Sequence, residues 1–383
     1  MTAKPTPTVG ALADALAAIA PLHLAEEWDN VGLILGDRDA HLRGPVVLTI
    51  DLTERVMDEC ERVNAGAIVA YHPPIFSAIK RLTASDARQK LVLRAAAAGM
   101  AICCPHTALD GAEGGLADWL ADTVMDPSAP KSADRRALYP RAEAREGEQV
   151  KIVTFVPAKD VDRVRDALAS AGAGIIGKYT VCSFAATGTG TFLGAPDTKP
   201  AVGAPGEFET AAEMRLEMVC SRRALALAMA TLKQFHPYEE PAVDVYPLEP
   251  RPVRTLGVGR RVMLDHPVDV RTLAARVKKA LGVEHVMIGD ATGKPVRCAG
   301  VCPGSGAGLM DAAVEDGCDV YVTGEMKHHD VLAAMSRGLS LILAGHTATE
   351  RGYLPTLAKR LGAAVKGVEF RVASEDRDPL VAV

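Results

Sequence analysis

IVAYHPPIF, residues 68–76, is an apolar run that stops abruptly in a tyrosine, a histidine and two prolines. A second short run, MAICCPH (100–106), stops in the same way, and DARQKLVLRAAAAG (86–99) between them carries its apolar residues at helical spacing. Two short strands joined through a helix predict a parallel pair with the helix packed on the sheet. The prolines lack N–H donors, so the ladder ends there and His72 is delivered at the strand's carboxyl end.

The same alternation extends on both sides. VGALADALAAIAP (9–21) and ERVMDECERVNAG (54–66) read as helices, and GPVVLTIDLT (44–53) as a strand. Far downstream, LAARVKKALG (273–282), DVLAAMSRG (330–338) and TERGYLPTLAKRLG (349–362) read as helices, while CDVYVTGE (318–325) and LSLILAGH (339–346) read as strands. The middle differs. Residues 126–149 are rich in proline, alanine and charge with no apolar period, which predicts a linker. Beyond it, VKIVTFVPA, KDVDRVRDALASAGAG, AEMRLEMVC, RRALALAMATLKQFH and AVDVYPL give two β-α-β passes, the order of a ferredoxin-like α+β sandwich. The glycine-rich stretch 188–208 within it reads as a hairpin or a ligand loop. The expected organisation is an α/β domain formed by both chain ends, 1–128 and 250–383, with a linker at 129–147 and an inserted α+β domain at 148–249.

Composition narrows the function classes. At 383 residues the chain is long enough for two or three cores. A net charge of -5 and the absence of a basic run argue against a nucleic-acid surface. The first residues, MTAKPTPTVG, lack a signal-peptide pattern, and no segment has the roughly 18 uninterrupted apolar residues of a membrane helix. The expected location is the cytoplasm, with no membrane partner. The 8 cysteines lack paired CxxC spacing and read as reduced, buried small hydrophobes.

Three predicted strand ends carry chemistry. AYH delivers His72, CCPHTALD delivers His106 and Asp110, and LAGHTATE delivers His346 and Glu350. Ligands collect outside the carboxyl ends of parallel strands, and imidazole with carboxylate is a donor set for zinc, iron or manganese. Plainer readings compete: Asp110 as a helix cap, Glu350 as the far member of a TATE capping box, His72 as a hydrogen-bonded loop histidine. Four such groups at comparable strand ends favour a common site. GEMKHHD places Lys327, His328, His329 and Asp330 after another strand, where an exposed helix start explains them equally well. His236, Glu239 and Glu240 in HPYEEPA read as a structural turn, and Asp29 and Asn30 in EEWDNVGLILGD as a helix-to-strand turn.

The stretches WDNVGLILGD, AYHPPIF, PHTALDGAEGGLADWLA, YVTGEMKHHD and LAGHTATERGYL together resemble the Nif-three-like family, whose bacterial members are often labelled GTP cyclohydrolase I type 2 homologs. GAGIIGKYTVCSF, GTGTF and HPYEEPAVDVYPL resemble the PII-like insert of its longer members. The resemblance implies a three-layer α/β domain with that insert, a ring-shaped homohexamer, and up to two divalent metal ions per subunit. It places the metal at His72, Asp110, His346 and Glu350, with Glu350 bridging, and leaves His106 as a ligand or a supporting partner. It implies a metal-dependent hydrolase acting on a purine nucleotide or a phosphoester, with His329 or His106 moving a proton. The alternative is a non-catalytic metal-handling or regulatory scaffold ring. Many bacterial members have two adjacent histidines where this chain has Tyr71 and His72, and YHPPIF with the C-terminal EDRDPL is more similar to eukaryotic members. A phenol, with its pKa near 10, ligates poorly at neutral pH, so the resemblance implies a weaker second metal position here.

Overall fold

The computed structural model describes residues 6–126, 134–143 and 145–380. The chain folds as two units, one of Met1–Arg141 with Val253–Val383 and a second of Ala142–Pro252. The stretch read as a linker lies partly outside the described residues, and its described part carries two short strands, Arg135–Arg136 and Tyr139–Glu143.

Within the described residues the first unit is built on two main sheets. One has five strands in the order Gly32–Leu35, Ala101–Cys104, Ala67–Ala70, Val46–Thr49 and Phe370–Val372, parallel throughout except for Gly32–Leu35. The strand pair 67–70 and 101–104 is parallel and joined through the helix Ala87–Ala97, whose N-cap Asp86 accepts a hydrogen bond from Gln89 N. The strands at 46–49, 67–70 and 101–104 are buried along their whole length because helices cover both faces, so they read as continuous apolar runs. Val69 and Leu48 pack with the helices Val9–Ile19 and Leu354–Ala364 on one face, and Ile68 and Val47 with the helices Glu54–Arg62 and Ala87–Ala97 on the other.

The other sheet has six strands in the order Met287–Gly289, Ser340–Leu343, Val320–Glu325, Val296–Ser305, Arg260–Val268 and Arg135–Arg136. Its three central strands are parallel. The helix Leu116–Val124 joins the two halves: Leu116 belongs to the core of the first sheet, while Leu120, Ala121 and Val124 belong to that of the second. A buried arginine reinforces the join. Arg260, 1% exposed, donates to both carboxylate oxygens of Asp118 and to the carbonyls of Ala112, Thr255, Gly257 and Gly259.

One expected element is divided. The helix read across 349–362 is two, Ala348–Arg351 and Leu354–Ala364. At Gly352 a Cβ would stand 2.3 Å from the Trp119 ring, so the chain can pass here only without a side chain.

The second unit is a four-stranded antiparallel sheet in the order Val243–Pro247, Val150–Pro157, Phe208–Cys220 and Phe184–Leu193. With the helices Val161–Ser170 and Arg222–Phe235 packed on one face, this is the β-α-β-β-α-β order of a ferredoxin-like sandwich. The glycine-rich stretch is part of a hairpin, whose strands pair from Phe184 opposite Glu217 to Leu193 opposite Phe208.

Candidate metal centre

The two sheets of the first unit turn their carboxyl strand ends to one place. His72 follows the strand ending at Ala70, His346 follows the strand ending at Leu343, and Glu350 lies one helical turn beyond His346. Ligand atoms of His72, His346 and Glu350 all lie within 4.8 Å of one another. Glu350 is 3% exposed, with Oε1 3.4 Å from His346 Nε2 and Oε2 3.7 Å from His72 Nε2.

This geometry decides against the capping box. Thr347 makes no cap hydrogen bond and instead donates to Asp378 Oδ2 at 2.6 Å. The Glu350 carboxylate faces the histidines, and its buried Oε2 has no hydrogen-bond partner. A buried carboxylate oxygen left without a donor is costly, and a cation between it and the two imidazoles would satisfy it. The donor set of two imidazoles and a carboxylate therefore fits a divalent ion. Gly304, at φ +62, completes the cradle: a Cβ there would come within 2.6 Å of Glu350 Oε1 and 3.3 Å of His346 Nε2. Thr349 holds this loop close by accepting from Gly304 N at 2.9 Å.

Three carboxylates orient the histidines, two of them given no role in the sequence reading and one read as a turn. Nδ1 of His72 lies 2.9 Å from Asp51, Nδ1 of His346 lies 2.9 Å from Glu325, and Nδ1 of His106 lies 2.7 Å from Asp29. Each pairing frees the ring's Nε2, the usual arrangement behind a ligating or proton-transferring histidine. Asp29 is therefore more than a turn residue. Its carboxylate also accepts from Thr107 N and Thr107 Oγ1, and these bonds with His106 outweigh burial and hold its pKa below the ordinary value. Asn30 ties the same loop down by donating to Ile75 O at 2.7 Å. Asp51 and Glu325 also stand at strand ends, just beyond Thr49 and at the end of Val320–Glu325, a position that could have flagged them in the sequence.

Electrostatics follow from these contacts. Burial alone would lower His72, but Asp51 and Glu350 on either side push its pKa up to about 10. A proton on His72 offsets part of the negative charge of Asp51 and Glu350. Asp110 is not one of those three residues; its Oδ1 accepts from the Tyr71 hydroxyl at 2.8 Å. Burial pushes Asp110 up to about 7, with His106, Glu350 and His72 within electrostatic range. Tyr71 is raised well above its ordinary value by burial and the Asp110 charge, so it stays a protonated donor at neutral pH.

His106 belongs to the cluster, its ring centroid 5.4 Å from those of both Tyr71 and His72, and its backbone sits at φ +26, where a residue other than glycine is strained. His329 is exposed at the start of the helix His328–Ser336, and its ring contact is with His328. His236 is a buried turn residue, with Nε2 3.1 Å from Phe155 O and Nδ1 accepting from Tyr238 N. Glu239 and Glu240 are exposed beside it.

A separate cavity of about 760 Å³ lies wholly within the insert. Its lining includes Phe155, Glu213, Arg215 and Lys199, and a Cβ on Gly190 would fall 2.2 Å from the Glu213 carboxylate.

Two helix-flanked sheets whose strand ends bring histidines and carboxylates together define an α/β protein with a possible metal site. The chain belongs to the Duf34/NIF3 (NGG1p interacting factor 3) family, whose profile matches residues 7–379. It is 34% identical over 376 residues to NIF3-like protein 1 of Bos taurus, covering 97% of this chain and 91% of that protein. It is 32% identical over 363 residues to the GTP cyclohydrolase 1 type 2 homolog of Bacillus subtilis strain 168, covering 94% of each. The crystal structure of a Bacillus cereus protein related to NIF3 superposes with a TM-score of 0.71 at 31% identity, covering 99% of this chain and 100% of that one. Among the described residues no helix is long and apolar enough to cross a membrane.

Proposed function

We propose that this protein is a metal-dependent hydrolase of a purine nucleotide or phosphoester, with zinc, iron or manganese held by His72, His346 and Glu350. The observation that carries this reading is the buried Glu350 oxygen without a partner between two imidazoles. A divalent ion held there supplies Lewis acidity and draws the pKa of water toward neutrality. Asp51 and Glu325 fix the two imidazoles, each by its Nδ1. His106, held by Asp29 and in ring contact with His72, is the proton carrier in preference to the exposed His329. Asp110, bonded to Tyr71 and near Glu350, would serve a second and weaker ion, with Glu350 shared between the two. The protein is further proposed to work as a cytoplasmic homohexamer carrying a PII-like insert, which light scattering of the purified chain would test for assembly.

Elemental analysis of wild type beside His346→Ala tests the site, and turnover of GTP and a phosphoester panel tests the chemistry. Unchanged metal in His346→Ala sinks the site assignment. A metal-loaded protein that turns over none of the panel sinks the hydrolase. The second reading, a metal-handling or regulatory scaffold, draws support from the insert's cavity. It expects metal that exchanges readily and no turnover.

A further inference from the structure

We propose that Trp28, with Phe76 beside it, is the wall on which the substrate's planar heteroaromatic ring stacks, so that the site takes nucleotides in preference to simple sugar phosphates. The inference rests on the reading that the histidine cluster is the reacting centre.

Trp28 is 58% exposed and Phe76 47% exposed, and their ring centroids lie 5.7 Å apart. Single exposed apolar residues are ordinary; two large aromatics in contact at the rim of a polar cluster mark a binding surface. Their backbone is fixed. Asp29, the residue after Trp28, is locked to His106 and Thr107, and Glu26 N donates to Thr107 Oγ1 at 3.0 Å. The bond from Asn30 to Ile75 O fastens the Trp28 loop to the residue before Phe76. An indole on an anchored loop loses little entropy when a ring settles on it.

The wall is continuous with the cluster. Trp28 meets His106 edge to face at 6.0 Å, His106 meets His72 at 5.4 Å, and His72 meets His346 at 5.7 Å between centroids. The indole is thus two ring contacts from His72, and a ring lying on it is one contact further out. The group attached to the ring, and not the ring itself, then reaches His72, His346 and Glu350. A nucleoside phosphate has this layout, with a π face at one end and an anionic ester at the other.

The chain has 2 tryptophans, so Trp119→Phe leaves Trp28 as the sole indole. Full-length protein is titrated with guanosine 5′-monophosphate and with ribose 5-phosphate, following tryptophan emission and, by calorimetry, affinity. We expect the nucleotide to quench Trp28 and to bind the more tightly. Trp28→Ala should weaken it roughly ten- to hundredfold, while Trp28→Phe keeps most of the affinity, and the metal content of both should equal that of wild type. If Trp119→Phe does not fold, the difference in emission between wild type and Trp28→Phe gives the same readout. Equal binding of the two probes, no loss in Trp28→Ala, or a Trp28 emission that iodide cannot quench because another copy covers it would each overturn the proposal, as would metal loss in Trp28→Ala. Failure of the metal reading shows separately, as unchanged metal in His346→Ala.

Discussion

Glu350→Gln removes the one formal charge among the three ligating side chains and leaves the side-chain volume nearly unchanged. Loss of a residue that merely orients a ligand typically costs 10- to 100-fold in metal affinity, so loss of the anionic ligand itself should cost at least about 100-fold. At free metal about 1,000 times the wild-type dissociation constant, binding stabilises the folded state by about 4.1 kcal/mol, and a 100-fold weaker site retains about 1.4 kcal/mol. The unit holding the site spans Met1–Arg141 and Val253–Val383. For a unit of that size each kcal/mol moves the melting temperature by about 2 °C, so the rise from chelator to metal should fall from about 8 °C to about 3 °C. Differential scanning calorimetry of both proteins, in EDTA and then in zinc or manganese, measures it. An equal metal-dependent rise in the two proteins would refute the ligand role, whatever the variant's stability in EDTA.

Because His72 is protonated below pH about 10 in the metal-free protein, metal binding must displace that proton. Affinity should therefore rise about tenfold per pH unit between pH 6 and 9, and calorimetry in buffers of different ionisation enthalpy should count one proton released. Asp51→Asn and Glu325→Gln should each weaken metal binding about 10- to 100-fold without abolishing it, as read by competition with a chromogenic chelator. Arg260→Leu should cost about 3–5 kcal/mol in urea unfolding, since it takes the buried guanidinium from Asp118 and from four carbonyls. Glu59 is buried, yet its bonds from Ser374 N and Glu375 N outweigh burial and hold its pKa below the ordinary 4.5. Its stabilisation is therefore present above pH 4.5 and lost as pH falls through the lowered value. Glu59→Gln should cost about 1–3 kcal/mol at pH 7, and a gap from wild type that persists undiminished at the lowest pH of folded protein would contradict this.

Much of the fold was legible because local chemistry and final structure agree. The run IVAYHPPIF, the helix after Asp86 and the run AICC needed only apolar periodicity, a cap and two prolines to be placed as a parallel pair, and that pair is present. His72, His346 and Glu350 were legible for the same reason, since a parallel strand's carboxyl end is set by where its apolar run stops. Other features were not local. Phe370–Val372 is short and only half-buried, and nothing in its composition shows that it pairs with Val46–Thr49. Val296–Ser305, rich in cysteine and glycine, lacks the pattern of a strand until its neighbours cover it. Whether Glu350 reached back to its own helix or across to the histidines was undetermined in the sequence, because TATE satisfies both. The fold chose by bringing Gly304, His346 and His72 to one side of that carboxylate. Sequence set which residues end each strand, since periodicity and proline act over a few residues. Tertiary structure alone decided that two separate sheets aim those ends at one point, and that Asp29, Asp51 and Glu325 stand behind the histidines, because those pairings join positions 21 to 77 residues apart.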